Sequence, residues 1–184
     1  MVTTREVTRI VRKCLEEGSS VEIDGLGIFR PRGDHQFEFA GEDRPQVFIA
    51  YVEEELPAAR RIYDALEARG FDPWLDKLRL LPGQNWPRAI ERAIQVSDFF
   101  LPLLSRRSLA KRGGFQSELR FALECAARLP LEEIFFIPAR LEPCQVPARI
   151  AREFQYVDLF PDWDKGLSRI ISVMRKHSRK RLRL

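Results

Sequence analysis

The sequence predicts an α/β domain, a mostly parallel five-stranded sheet with helices on both faces, preceded by a small helix and β-meander. Three observations carry that expectation. From Pro45 onward, short apolar runs alternate with longer segments whose apolar residues recur at helical spacing, the pattern of successive βαβ units. The apolar runs are nearly continuous, as strands covered on both faces require, where a sheet wetted on one side would alternate. Before Pro45 the order differs: one amphipathic helix, then short strands separated by turn residues.

The first block covers residues 1–43. Thr3 and Glu6 fit a capping box, Val7, Ile10, Val11, Cys14 and Leu15 share one helical face, and Gly18 is placed to end the helix. Val21 and Ile23 follow, then the turn Asp24-Gly25-Leu26-Gly27, then Ile28 and Phe29, and a further alternating stretch at Phe37 and Phe39. The run from Gly18 to Phe29 resembles the "Gly-x-x-Val-x-Ile-x-Gly-x-Gly-x-Phe" hairpin of the bacterial histone-like HU/IHF proteins. The likeness covers part of that fold and lacks its long DNA-gripping arm, so DNA binding is not carried over. A structural or oligomerising appendage is implied, with residues 41–44 as the linker to the sheet domain at 44–176.

In that domain Val47 to Tyr51 form the first strand. Ala59, Ile62, Ala65 and Leu66 mark a helix over 56–69, with Pro57 near its first position and Gly70 beyond its last. Residues 71–75 make the second strand. Pro82-Gly83 signals a turn within 78–85, ahead of a helix over 86–96 that turns Ile90, Ala93 and Ile94 inward. A third strand spans 99–104, a helix 115–128, a fourth strand 133–139 and a fifth 156–159. The last helix, 163–176, carries Leu167, Ile170, Ile171 and Met174. The simplest arrangement has flavodoxin-like order, and in such sheets ligands bind beyond the carboxyl ends of the strands.

Composition limits the function classes. A chain of 184 residues with 45% hydrophobic and 32% charged residues is that of a globular protein. No apolar run approaches the roughly 18 residues that span a bilayer, and Arg5, Glu6 and Arg9 stand where a signal peptide would be apolar, so a cytoplasmic location without membrane contact is expected. Cys14, Cys125 and Cys144 lack disulfide or zinc spacing and read as buried or incidental thiols, with no metal site. The net charge of +4 is carried by the end of the chain, where Arg175, Lys176, Arg179, Lys180, Arg181 and Arg183 occur without an acid. The tail, 177–184, reads as a solvated helix end or a weak nucleic-acid contact.

The strand ends exclude several chemistries. A response-regulator receiver needs adjacent acids after the first strand and an aspartate ending the third, but the third ends in Leu103, Leu104 and Ser105. Gly25 and Gly27 precede a strand, so they are no dinucleotide fingerprint, and Pro82-Gly83-Gln84-Asn85 lacks the Gly-Lys-Ser/Thr of a phosphate loop. His35 and His177 lie outside the sheet domain, leaving a serine or cysteine nucleophile without a base. Carboxylates, aromatics and a serine remain.

The chain from about residue 45 to 175 resembles a bacterial Toll/interleukin-1 receptor (TIR) domain. Val47-Phe48-Ile49-Ala50-Tyr51 is similar to the family's opening strand, Gly70 to Asp76 to its second strand, and Leu80 to Trp86 to the loop that follows. Ala93-Ile94 through Ser97-Asp98, Leu104-Ser105, Arg112-Gly113, Glu118-Leu119, Ala122-Leu123 and Ile137-Pro138 to Val146-Pro147 extend the match in order.

The resemblance implies cleavage of NAD+, with Glu118 as the catalytic glutamate, NAD+ as substrate and no further cofactor. It also implies assembly into homo-oligomers. Tyr51, Trp74 and Phe115 would supply apolar walls or stacking, while Val52 and Glu53 occupy positions where relatives contact the nucleotide. Leu81 lies in the loop that closes over substrate in the family, alongside Leu78 and Leu80, which alternatively pack on the chain's own helix. Ser105 would bond a ribose or cap the next turn, Asp76 would orient the loop, and Trp86 reads as core. The family often has an aromatic four residues before the glutamate; here that position is Gly114, so either Phe115 rebuilds the wall or the site is weakened. Two other classes stay open: a non-catalytic TIR adaptor in which Glu118 is a surface acid favoured by the helix dipole, and a nucleoside deoxyribosyltransferase-like enzyme.

Overall fold

The computed structural model describes residues 4–23, 27–31, 37–41 and 44–181 and divides at Arg44 into two compact units. In the first, helix α1 (Thr4–Glu16) is followed by strands β1 (Val21–Ile23), β2 (Gly27–Pro31) and β3 (Phe37–Gly41). Gly18 adopts φ +79 and ends α1 with two reciprocal bonds, Gly18 N–H to Leu15 O and Ser19 N–H to Cys14 O, a Schellman closure. The strands form an antiparallel meander in which Val21 faces Phe29 and Phe29 faces Phe39. Residues 24–26 of the expected turn and 42–43 of the expected linker lie outside the described residues.

The second unit begins with β4 (Gln46–Ala50), α2 (Leu56–Glu67), β5 (Asp72–Trp74), α3 (Asp76–Arg79) and α4 (Trp86–Val96). Next come β6 (Phe99–Leu104), α5 (Arg106–Ala110), α6 (Gly114–Ala126) and β7 (Ala139–Arg140). The unit closes with α7 (Ala148–Glu153), β8 (Val157–Asp158) and α8 (Trp163–Arg181). The sheet order is β5-β4-β6-β7-β8 and every neighbouring pair is parallel, the expected doubly wound arrangement. Residues of β4 and β6 alternate between two cores. Val47, Ile49, Phe99, Leu101 and Leu103 pack with α2 and α8, while Phe48, Ala50, Phe100 and Leu104 pack with α4 and α6.

Several boundaries differ from the sequence expectation, each for a local reason. The fourth strand, expected over 133–139, is a single bridge at Phe136 and then the two residues of β7. Phe100 N–H donates to Phe135 O and Ile137 N–H to Phe100 O, but Pro102 and Pro138 have no N–H, so the ladder lapses until Ala139 pairs with Leu103. The second strand is trimmed to Asp72–Trp74 and the fifth to Val157–Asp158. Three short helices, α3, α5 and α7, occupy stretches read as loop; each is too brief to display a period. The last helix continues past Lys176 to Arg181, so Arg179, Lys180 and Arg181 extend it, while residues 182–184 of the basic tail lie outside the described residues. Among the described residues no helix is long and apolar enough to cross a membrane. Cys14, Cys125 and Cys144 are free thiols of intermediate burial.

Candidate active site

The parallel sheet sets the first part of the site. Tyr51 follows the carboxyl end of β4, and Asp76 opens α3 two residues beyond the adjacent β5, so the two strand ends bring them together. The Tyr51 hydroxyl donates to Asp76 Oδ1 at 2.5 Å, and the Lys77 N–H donates to the same oxygen at 2.7 Å. Burial, then that hydrogen bond, then the negative charges of Asp76, Glu53 and Glu118 push the Tyr51 phenol well above its ordinary range, so it stays protonated and a donor.

Helix α6 supplies the second part. It is capped at its start by Gly113, whose φ of +123 is open to glycine, and Glu118 stands one turn after Gly114. A cavity of about 220 Å3 opens between α4 and α6. Trp86, Pro87, Ile90, Glu91 and Ile94 of α4 form one wall; Gly114, Ser117, Glu118 and Phe121 of α6 form the other. The Glu118 side chain retains partial exposure, but its carboxyl is desolvated in this largely apolar recess. Burial first, and the charge of Asp76 second, raise it to about 7. The carboxylate is therefore held close to the point of ionisation, as functional carboxyls often are. Among the described residues no cluster of three or more His, Cys, Asp and Glu is placed to hold a metal ion.

The residues singled out from the sequence fall into two groups. Glu118, Asp76 and Tyr51 are mutually coupled. Glu53 lies near Tyr51 but is exposed and paired with Lys77 at 3.1 Å, while its neighbour Glu54 pairs with Lys111 at 2.9 Å. Leu81 is 70% exposed in the turn between α3 and α4, where its N–H donates to Gln84 Oε1 at 3.1 Å.

The rest face elsewhere. Val52 is buried beside Ile90 and Ile94 in the core between the sheet and α4. Trp74 stacks on Phe48 with ring centroids 4.6 Å apart. Ser105 is buried, and its hydroxyl accepts the Ser108 N–H while the Ser108 hydroxyl accepts the Ser105 N–H, a reciprocal cap for α5. Phe115 is only 6% exposed and packs in the core, so the wall left open at Gly114 is not rebuilt by it.

Trp86, expected in the core, is 54% exposed and lines the cavity instead. Glu91 and Phe121 were not singled out. Their signal was the helical spacing Trp86, Ile90, Ile94 against Gly114, Glu118, Phe121, which becomes informative only once α4 and α6 are known to be neighbours.

Residues 47–171 match the family model for the TIR domain, which is more than half of the chain. The chain belongs to the TIR domain family. Its TIR domain shares a fold with solved relatives at low identity. The TIR domain of the Toll-related receptor TRR-2 from Hydra magnipapillata superposes with TM-score 0.55 and 22% identity, covering 68% of this chain and 97% of that one. The TIR domains of the activated Roq1 resistosome superpose with TM-score 0.53 and 16% identity over 72% of this chain and 98% of theirs. A curated relative, the uncharacterized protein y4cD of Sinorhizobium fredii, is 31% identical over 111 residues. The match takes in 60% of this chain and only 17% of that protein's length.

Proposed function

We propose that this TIR domain is an NAD+ glycohydrolase that breaks the bond between nicotinamide and ribose. The observation that carries the reading is a desolvated carboxyl, Glu118, lodged in a recess walled by Trp86, Ile90 and Phe121, with the other lining carboxyl, Glu91, left exposed to solvent. A typical glycosidase needs a second carboxyl to protonate its leaving group. Nicotinamide does not, because the ring is cationic in NAD+ and takes the electrons of the breaking C1′–N bond to leave neutral. Positive charge then develops on the ribose, and an adjacent carboxylate stabilises it most strongly where water is excluded. Water adds to C1′ and releases one proton, giving ADP-ribose; attack by the adenine of the same molecule gives a cyclic isomer. Tyr51, whose hydroxyl proton is donated to Asp76, sits near enough to Glu118 to feel its charge and would accept a hydrogen bond from a sugar hydroxyl.

The test is release of nicotinamide from NAD+ by the purified chain at rising concentration, with and without a crowding agent. Glu118→Ala is expected to lower the rate by about 100- to 1,000-fold, the usual cost of removing a group that meets transition-state charge. Release that persists undiminished in that variant would remove Glu118 from the mechanism.

The exposed Leu81 turn favours a second reading, a TIR adaptor that works by self-association through the same loop. Absence of release under every assembling condition would select it. Acceptance of a nucleoside in place of NAD+ would instead indicate a deoxyribosyltransferase-like enzyme. A cytoplasmic setting, self-assembly in signalling or defence, and an HU/IHF-like origin for the helix and meander of the first unit belong to the same proposal. They rest on sequence pattern.

A further inference from the structure

The charged side chains that line the cavity, among the described residues, are both acidic: Glu91 from α4 and Glu118 from α6. The exposed indole of Trp86 lines the same cavity, and no ring partner or cation contact is found for it among the described residues. The remaining lining is mostly aliphatic and aromatic, so the field of the desolvated Glu118 is little screened, while Glu91 is solvent-exposed. At about 220 Å3 the recess is smaller than the roughly 300 Å3 at which pockets for drug-sized ligands begin. It takes one substituted ring and part of its sugar. Phosphates would be repelled from its acidic walls and point outward.

We propose that Trp86 and Glu91 are specificity-determining residues that make this recess a receptor for a flat cationic heterocycle, an N-substituted pyridinium, over a neutral base of the same size. The inference rests on the reading of the site as one that cleaves NAD+, and it says how the site would choose which end of the dinucleotide to admit. The indole face attracts the ring cation through its quadrupole, and Glu91, five residues further along α4, adds a negative charge at the cavity. Gly114 contributes by omission. A Cβ there would lie 3.7 Å from Glu118 Oε1, so a bulky side chain at this position would occupy the space beside the carboxyl. In this chain the indole of Trp86 on α4, across the recess, therefore joins Phe121 of α6 as its aromatic surface.

The test compares two probes that are not cleaved, 1-methylnicotinamide and nicotinamide, which differ by one methyl group and one positive charge. Each is titrated into the intact chain and followed by ligand-observed saturation transfer, and by the indole N–H resonance assigned through its loss in Trp86→Phe. The cation is expected to bind roughly tenfold more tightly than the neutral ring. Glu91→Gln should reduce that preference to about threefold or less, and Trp86→Leu should weaken both probes while circular dichroism shows the fold retained. Equal affinity for the two probes, or full preference in Glu91→Gln, overturns the proposal. Cation preference without NAD+ cleavage supports it and rejects the glycohydrolase reading; Glu118-dependent cleavage without cation preference does the reverse.

Discussion

At Glu118, burial sets both the chemistry and its cost. Transition-state stabilisation needs the carboxylate, and a carboxyl raised to about 7 is only half ionised near neutrality. Nicotinamide release in the proposed reaction should therefore rise with pH through about 7 and level off above it, read from initial rates across pH 5.5–9. Asp76→Asn removes the second cause of the shift and should move this profile toward acid. The sign for stability is opposite. Between the ordinary 4.5 and about 7 the unfolded chain has released a proton that the folded chain still holds, so stability falls as pH climbs through that window. Glu118→Gln removes the penalty and should be more stable than the parent at pH 8, by on the order of 1–3 kcal/mol in urea titrations, with the partial exposure of the side chain favouring the lower end. At pH 4 the two should coincide.

Among the elements, the shortest ones depend on the strongest local contacts. β7 and β8 have two residues each and are tied by Arg140, which donates to both oxygens of Asp158 at 2.6 and 2.8 Å and stacks over Tyr156. Arg140→Lys keeps the charge but loses the planar fork, and should destabilise the chain by about 1–2 kcal/mol. Helix α8 reaches the same edge through Gly166, where a Cβ would come within 2.3 Å of Asp158 O. Gly166→Ala cannot be relieved by a rotamer change, because the clash is with backbone. It should cost about 1–3 kcal/mol in thermal or urea unfolding, by forcing α8 away from β8. This close approach was invisible in the sequence, where a glycine in a helical pattern reads as a mere weakness. The strands themselves were legible where apolar runs were long, as at Val47 to Ala50 and Phe99 to Leu104, and overextended at 133–139, where two prolines on adjacent strands interrupt the ladder.

For the molecule as a whole, the exposed turn carrying Leu81 and the recess around Glu118 lie on consecutive stretches that α4 joins. If assembly through this turn supports activity, Leu81→Asp should leave stability within about 0.5 kcal/mol, as expected for an exposed site. The same variant should abolish the dependence of rate on protein concentration. Light scattering alongside the NAD+ assay reads both.

The sequence by itself determined which segments form the main strands and helices of the α/β domain and where Glu118 falls among them, because hydrophobic period and motif spacing are local properties of the chain. It also marked Gly114 as the place where the expected aromatic is missing. Only the tertiary structure decided what surrounds the carboxyl. Packing turned Phe115 inward, committed Ser105 to a helix cap, stacked Trp74 on Phe48, and brought Trp86 and Glu91 from a separate helix to the vacated side of Glu118. Desolvation depends on neighbours distant in sequence, so the raised pKa of Glu118 is a property of the fold and not of its helix.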